Sequence, residues 1–252
     1  MYSYKCVVSY EGTRYNGWQK QGNTANTLQH KIEEILSKHL DESIEIVGSG
    51  RTDAGVHALG QVFHFHCKQM LIPNNDPSSF LTAINNHLPQ DIRIVSIEYC
   101  HPRFHARLNA VKKTYRYQID ISTYGNLFLR NVSHHVPTPL DIGAMKKGAD
   151  LLLGTHDFKS FCSNKRMKKS SVRTIYDIVI EENASENLLT LTFTGNGFLY
   201  NMVRILSGTL IEIGLGLRNP EEIPAMLEGG NRGLTGHTAP AKGLFLMNVE
   251  YD

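Results

Sequence analysis

The chain has 252 residues, of which 41% are hydrophobic and 20% charged, and a net charge of +2 at pH 7. That length can bury a substantial core in one large domain or two small ones, and the composition is typical of a soluble globular protein. No apolar run approaches the roughly 18 residues that cross a bilayer, and the chain begins with a strand-like segment instead of a signal peptide, so we expect a cytoplasmic protein without membrane segments.

Hydrophobic periodicity predicts alternating strands and helices in the first hundred residues. In chain order we expect a strand over residues 2–10, a helix from residue 26 or 27 to about 40, strands over 44–47 and 61–66, a helix over about 78–88 and a strand over 91–99. This order is typical of a ferredoxin-like or RNA-recognition-like half, in which helices pack on one face of an antiparallel sheet.

The second half repeats this theme with longer connections. In chain order we expect a strand over residues 113–119, a helix over 142–153, a hairpin of strands over 175–181 and 188–194, helices over about 200–213 and 221–227, and a final strand over 243–251. We therefore predict an α+β protein of two ferredoxin-like halves, residues 1–105 and 106–252, that form a largely antiparallel sheet.

One loop carries a candidate for chemistry. Asp53 lies among several glycines, two residues after Arg51, between two predicted strands. The glycines would allow tight or left-handed backbone conformations and a close approach by a ligand. From composition alone, an ordinary turn that contains an aspartate explains the segment at least as well.

Positive charge is concentrated in two segments without acidic residues, one between Glu98 and Asp120 and the other between Asp157 and Asp177. Their lysines and arginines are Arg103, Arg107, Lys112, Lys113 and Arg116 in the first segment, and Lys159, Lys165, Arg166, Lys168, Lys169 and Arg173 in the second. Such segments favour a surface that neutralises phosphates, and a solvated basic face is the open alternative.

Several common chemistries lack their sequence pattern. The twelve histidines form no H-E-x-x-H motif and do not pair with cysteines at ligand spacing, so we expect no metal. Hydrolysis of a glycoside by two carboxylates lacks a second carboxylate near Asp53, and the glycine spacing misses G-x-G-x-x-G. What remains is one carboxylate kept ionised by an arginine, either Arg51 or Arg204, which suits a nucleophile or a base.

Residues 50–58, GRTDAGVHA, resemble the signature of the TruA family of tRNA pseudouridine synthases. The resemblance continues in order through residues 60–62 (GQV), 103–107 (RFHAR), 113–117 (KTYRY), 156–158 (HDF), 173–175 (RTI), 197–204 (GFLYNMVR) and 243–244 (GL). It covers essentially the whole chain.

The resemblance implies an enzyme that isomerises uridine to pseudouridine in RNA without a metal or organic cofactor. It implies that Asp53 is the catalytic aspartate, acting either at the sugar or on its 2′ proton. Tyr115 would stack on the uracil, and Arg204 would pair with Asp53. Arg51 would displace or hold the target nucleotide.

We expect the two halves to form a basic cleft with Asp53 in its centre. The resemblance further implies a homodimer that binds tRNA across both subunits and modifies uridines 38 to 40 of the anticodon stem-loop. Beside Arg51 and Tyr115, the candidate RNA-binding residues are Arg107, Lys112, Lys113, Arg116, Arg173, Lys165, Arg166, Lys168 and Lys169. Two alternatives stay open. The same chemistry could act on another RNA such as ribosomal RNA, or the chain could be a non-catalytic RNA-binding module, which would not need Asp53 and Arg204.

Overall fold

The structure is a computed structural model that describes residues 1–164 and 170–252. The strands are β1 (Tyr2–Tyr10), β2 (Val47–Gly48), β3 (His57–Cys67), β4 (Ile92–Tyr99), β5 (Ala110–Asp120), β6 (His134–His135), β7 (Gly154–Asp157), β8 (Val172–Asn183), β9 (Leu188–Gly195) and β10 (Leu244–Tyr251). The helices are α1 (Leu28–Leu40), α2 (Ser78–His87), α3 (Ile142–Asp150), α4 (Met202–Gly214) and α5 (Ile223–Gly229). The predicted α+β class is confirmed.

The chain forms two compact units. The first contains Met1–Val111 together with Phe245–Asp252, and the second contains Lys112–Leu244. The last strand is therefore grouped with the beginning of the chain, and the first unit consists of two separate stretches. The division into domains at residues 105 and 106 stays a prediction.

The sheet of the first unit has the strand order of a ferredoxin-like fold. β1 lies between β4 and β3, antiparallel to both, and the other edge of β3 is shared by two strands. β2 pairs antiparallel with β3 at Phe63 and His64, and β10 pairs parallel with the start of β3 at His57 and Ala58. With α1 and α2 between the strands, this arrangement confirms the ferredoxin-like prediction for the first half.

Helix α1 begins and ends where the sequence predicts. The Thr27 side chain accepts a hydrogen bond from the His30 amide at 3.3 Å, which satisfies one of the donors left free at a helix start. Asp41 follows the last turn in the left-handed conformation, with φ of 49°. The apolar face that the helix buries is Leu28, Ile32, Leu36 and Leu40.

The predicted strand over residues 44–47 is mostly wrong, because only Val47 and Gly48 pair with β3. The amide of Ile44 donates to Ser37 Oγ at 2.9 Å, and the amide of Ile46 donates to Glu33 Oε1 at 3.1 Å. Both acceptors are side chains of α1. The alternating burial of this segment therefore comes from packing along a helix instead of pairing in a sheet.

The second unit contains an antiparallel sheet in the order β5-β9-β8-β7, and β6 pairs parallel with β5. Asp141 caps α3 by accepting a hydrogen bond from the Ala144 amide at 2.9 Å. The helix ends at Asp150, earlier than predicted, and β7 begins at Gly154, whose φ is +98°. β6 and β7 are strands that the sequence analysis did not predict.

None of the five helices in the described part of the chain is both long enough and apolar enough to span a bilayer. All four cysteines are free thiols.

Gly60 allows β10 to pass close to β3. A Cβ atom built at this position would lie 2.4 Å from the carbonyl oxygen of Met247, well inside van der Waals contact. Gly22 is the opposite case, since a Cβ there would meet nothing within 4 Å. The contact between β3 and β10 therefore depends on the missing side chain of Gly60.

We predict that Gly60→Ala lowers the free energy of unfolding by about 1–3 kcal/mol, because the obstructing atom belongs to backbone and the strands must separate to accept the methyl group. Urea unfolding measures the loss, and Gly22→Ala is the matched control, with an expected change below about 0.5 kcal/mol. Equal stability of the two variants would show that β3 and β10 do not approach each other as described.

Candidate active site

Asp53 lies in the loop between β2 and β3. The amide of Val56 donates to the carbonyl of Asp53 at 3.1 Å, which closes a tight turn, and Gly55 in that turn has φ of +79°. Neither Gly48 nor Gly50 takes a positive φ, so only Gly55 uses the left-handed freedom expected of the loop glycines. The Asp53 side chain is half-buried.

The end of β1 and the segment after it contact the loop on both sides of Asp53. The Trp18 amide donates to the Thr52 carbonyl at 3.0 Å, and the Tyr10 hydroxyl shares a hydrogen bond with Thr52 Oγ1 at 2.8 Å. The Gly12 amide donates to His57 Nδ1 at 3.1 Å. These contacts fix the loop immediately before and shortly after the carboxylate.

The start of the loop rests on a second set of buried contacts. Ser49 Oγ donates to Gln61 Oε1 at 2.6 Å, and Gln61 Nε2 donates to the Gly50 carbonyl at 3.2 Å. Gly48 packs against the indole of Trp18, where a Cβ would come within 2.5 Å of the ring nitrogen. The close approach that Gly48 allows is therefore to a side chain of the protein itself, and not to a ligand as its sequence context suggests.

Arg51 is exposed and lines a groove of about 640 Å³ that belongs to the first unit. Its Nε donates to Gln19 Oε1 at 3.1 Å. Lys20, His105 and Arg107 line the same groove, which also contains the acidic Glu33 and Glu45. Of the predicted site residues, the structure thus brings Arg51 and Arg107 to one groove.

His64 positions the segment that carries Arg107. Its Nδ1 accepts a hydrogen bond from the Ala106 amide at 3.1 Å, and the Tyr251 hydroxyl donates to the Ala106 carbonyl at 2.8 Å. Burial, followed by the nearby His105 and His66, lowers the pKa of His64 to about 4. His64 is therefore neutral at pH 7, and the Nδ1 that faces the Ala106 amide is its unprotonated nitrogen.

Tyr115 and Arg204 lie in the second unit. Tyr115 is on β5, 9% exposed, and its ring makes an edge contact with Phe198 at a centroid distance of 5.3 Å. Arg204 is in the first turn of α4, where its Nε donates to the Ala239 carbonyl at 2.8 Å and its Nη1 donates to Asn201 Oδ1 at 3.0 Å. An arginine within an apolar helix thus has polar partners at the helix start.

Arg204 also lies close enough to Tyr117 to affect its ionisation. Burial raises the pKa of the Tyr117 phenol, and the positive charge of Arg204 acts in the opposite direction. The Tyr117 hydroxyl donates to the Pro240 carbonyl at 2.9 Å.

The remaining predicted RNA-binding residues have different surroundings. Lys112, Lys113 and Arg116 lie on β5 and are half-buried, and the Nε of Arg116 is buried without a hydrogen-bond partner among the described residues. Arg173 on β8 donates from Nη1 to the carbonyls of Ser170 and Val172, and burial lowers its pKa. Four candidates lie outside the described residues: Lys165, Arg166, Lys168 and Lys169.

Three polar residues in the groove wall were not predicted as site residues from the sequence: Gln19, Gln29 and Glu33. Glu33 is only 6% exposed although it carries a carboxylate. A signal was present, because Gln29 and Glu33 are four residues apart on α1 and beside its apolar stripe. Within residues 1–164 and 170–252, no three His, Cys, Asp or Glu residues come together as a possible metal site.

Comparison with known proteins gives consistent matches. A family model described as tRNA pseudouridine synthase matches residues 6–109 and 149–252. A tRNA pseudouridine synthase A 2 of Bacillus cereus is 43% identical over 251 residues, which cover 100% of both chains. The tRNA pseudouridine synthase A of Bacillus pumilus is 45% identical over 250 residues, and that of a Geobacillus species is 44% identical over 249; each alignment covers 98% of both chains.

The region matched by the family model includes the loop of Asp53 and Arg51, the segment of Arg107, and the start of α4 with Arg204. Tyr115 falls between the two matched ranges.

Proposed function

This chain belongs to the tRNA pseudouridine synthase family, and we propose that it isomerises uridine to pseudouridine at positions 38 to 40 of the tRNA anticodon stem-loop. The observation that carries the proposal is the loop of Asp53, which presents one half-buried carboxylate between residues that are hydrogen-bonded to Trp18, Tyr10 and Gly12. A reacting group is effective only when it is held in a productive geometry, and this loop is built to hold one.

The reaction needs no net oxidation or added group. The bond between C1′ of the ribose and N1 of the uracil breaks, the base turns, and a bond between C1′ and C5 forms. The C5 proton leaves and N1 gains a proton, so the atoms balance. Asp53 acts on the target nucleotide in its ionised form, either by attack on the sugar or by removal of the 2′ proton.

Three further residues have proposed roles in this reaction. Tyr115 stacks on the uracil after it leaves the helix, as aromatic side chains do with extruded bases. Arg204 is the counter-ion of Asp53, and it favours the charged form of the carboxylate. Arg51 holds the target nucleotide in its displaced position.

The basic residues offset the cost of extruding the base. Unstacking a nucleotide costs a few kcal/mol, and lysines and arginines that neutralise phosphates supply favourable binding free energy. Arg51 and Arg107, which share the groove of the first unit, are the best supported of these contacts. The others that we propose are Lys112, Lys113, Arg116, Arg173, Lys165, Arg166, Lys168 and Lys169.

We predict that Asp53→Asn abolishes pseudouridine formation and changes tRNA affinity by less than about threefold, because the amide keeps the size of the side chain and loses the charge. Single-turnover assays on tRNA with a filter-binding titration measure both quantities. The tRNA affinity of the wild type and of Asp53→Asn should fall steeply between about 50 and 200 mM salt, because contacts to phosphates are screened by salt. Retained activity in Asp53→Asn would refute the catalytic role and favour another residue as the acting group.

We predict that cells lacking this protein lose pseudouridine at tRNA positions 38 to 40 and keep it elsewhere. Mapping of pseudouridine across total RNA measures this, and re-expression of the wild-type chain should restore the lost sites where Asp53→Asn does not. Loss of pseudouridine confined to ribosomal RNA would show that the same chemistry acts on ribosomal RNA instead of tRNA. If no site is lost and tRNA binding persists, the chain is a non-catalytic RNA-binding module.

We also propose that the chain works as a homodimer in the cytoplasm, because the family resemblance implies tRNA bound across two subunits. Sedimentation equilibrium at micromolar concentration should give about 57 kDa, twice the 28.3 kDa of one chain. Cell fractionation should recover the protein with the soluble tRNA. A mass near that of one chain, with full activity, would refute the dimer.

A further inference from the structure

We propose that Gln19, supported by Gln29 and Glu33, is a positioning residue that sets the direction of the Arg51 side chain for the reaction. The inference rests on the proposed function, in which Arg51 holds the displaced nucleotide. It adds to that function three residues that act through Arg51 and not directly on the reacting atoms.

The three residues form a continuous chain of hydrogen bonds along the groove wall. Glu33 Oε1 accepts from Gln29 Nε2 at 2.8 Å, and Gln29 Oε1 accepts from Gln19 Nε2 at 2.7 Å. Gln19 Oε1 then accepts from Arg51 Nε at 3.1 Å. This series of hydrogen bonds thus begins at the nearly buried Glu33 and ends at the exposed Arg51.

Glu33 is held at the origin of the chain by two other donors. The Ile46 amide donates to Oε1 at 3.1 Å, and Lys20 Nζ donates to Oε2 at 3.2 Å. A nearly buried carboxylate without such partners would be costly, so these bonds keep Glu33 in one place. Glu33 is therefore a fixed acceptor on helix α1.

The direction in which each hydrogen bond of the series is donated follows from Glu33. Gln29 faces the carboxylate of Glu33 and the carbonyl of Ile46 on one side, and both groups only accept, so the amide nitrogen of Gln29 must lie there. Its oxygen must then face Gln19, where the Lys20 amide also donates to it at 3.1 Å. Gln19 consequently turns its own nitrogen towards Gln29 and its oxygen towards Arg51.

An acceptor at this point has a specific effect on an arginine. The bond to Gln19 uses Nε alone, so it restrains the direction in which the guanidinium points and does not involve Nη1 or Nη2. Those two nitrogens provide the paired donors that match a phosphate or a carbonyl. An exposed arginine without such a bond would sample many rotamers and spend little time in the one that the reaction needs.

The test compares Gln19→Met, which removes the acceptor at similar size, with Gln19→Glu, which keeps an oxygen facing Arg51 although it loses the donor to Gln29. We expect kcat on tRNA to fall about tenfold in Gln19→Met with KM changed by less than about threefold, because a misdirected group costs rate more than binding. Gln19→Glu should retain more activity than Gln19→Met. The matched control is Gln90→Met at an exposed turn after α2, which should equal the wild type.

A double variant separates positioning from general damage. Arg51→Lys lacks the Nε donor, so adding Gln19→Met to Arg51→Lys should cause no further loss, whereas independent effects would multiply. Thermal unfolding should give the same Tm for Gln19→Met and the wild type within about 2 °C. A kcat of Gln19→Met within twofold of the wild type, or a full additional loss in the double variant, would overturn the proposal.

A measurement without turnover distinguishes this inference from the proposed function. The Nε–H proton of Arg51, observed by NMR, should exchange with solvent at least about fivefold faster in Gln19→Met than in the wild type. If the wild-type chain makes no pseudouridine but this difference is found, the function fails and the bond to Gln19 stands. Equal exchange in the two proteins would refute the positioning of Arg51, whatever the activity.

Discussion

The candidate site depends on the close approach of two backbone segments, the one after β1 and the loop of Asp53. Gly17 takes φ of +90°, and a Cβ there would lie 2.8 Å from the carbonyl of Thr52, which itself accepts a hydrogen bond from the Trp18 amide. At this distance any side chain would push the two segments apart. The backbone directly before Asp53 is therefore held by backbone contacts, which most side-chain substitutions nearby leave in place.

Buried polar groups then select one conformation of that loop. Thr52, Ser49 and Gln61 are each nearly inaccessible to water, and each has a hydrogen-bond partner within the first unit. Moving the loop would break several of these bonds together and leave polar atoms buried without partners, at about 1–3 kcal/mol each. The glycines permit the conformation, and the polar network makes it the favoured one.

Much of this fold is predictable because its elements carry their own signals. Helix α1 combines a threonine cap with an apolar stripe, and the burial of β1 alternates from Tyr4 to Tyr10, so both are predictable within a residue or two. The segment 44–46 also alternates, yet its amides bond to Ser37 and Glu33 on α1. Alternation in a sequence indicates which residues are buried but not which element covers them. The prediction of a strand over residues 44–47 was mostly wrong for this reason.

The site was predictable to a different extent. Asp53 stands out through the family resemblance of its motif, whose residues are adjacent in sequence, and its catalytic role stays a prediction. The support of Arg51 by Gln19, Gln29 and Glu33 could not, because it joins a loop, a helix and a second loop that meet only in the folded chain. Hydrogen bonds between side chains distant in sequence leave no periodic pattern, so they are visible only in the folded structure.

The place of β10 has a consequence for the order in which the protein is made and folded. β10 pairs with the start of β3, directly after the loop of Asp53, yet the ribosome synthesises it after the entire second unit. The first unit therefore emerges early without one of its strands, and the start of β3 keeps an open edge during that time. Pairing between residues so far apart in sequence is slow to form. The loop of Asp53 thus gains this neighbouring strand only after the second unit has been synthesised, and a shorter nascent chain has little opportunity to act on RNA.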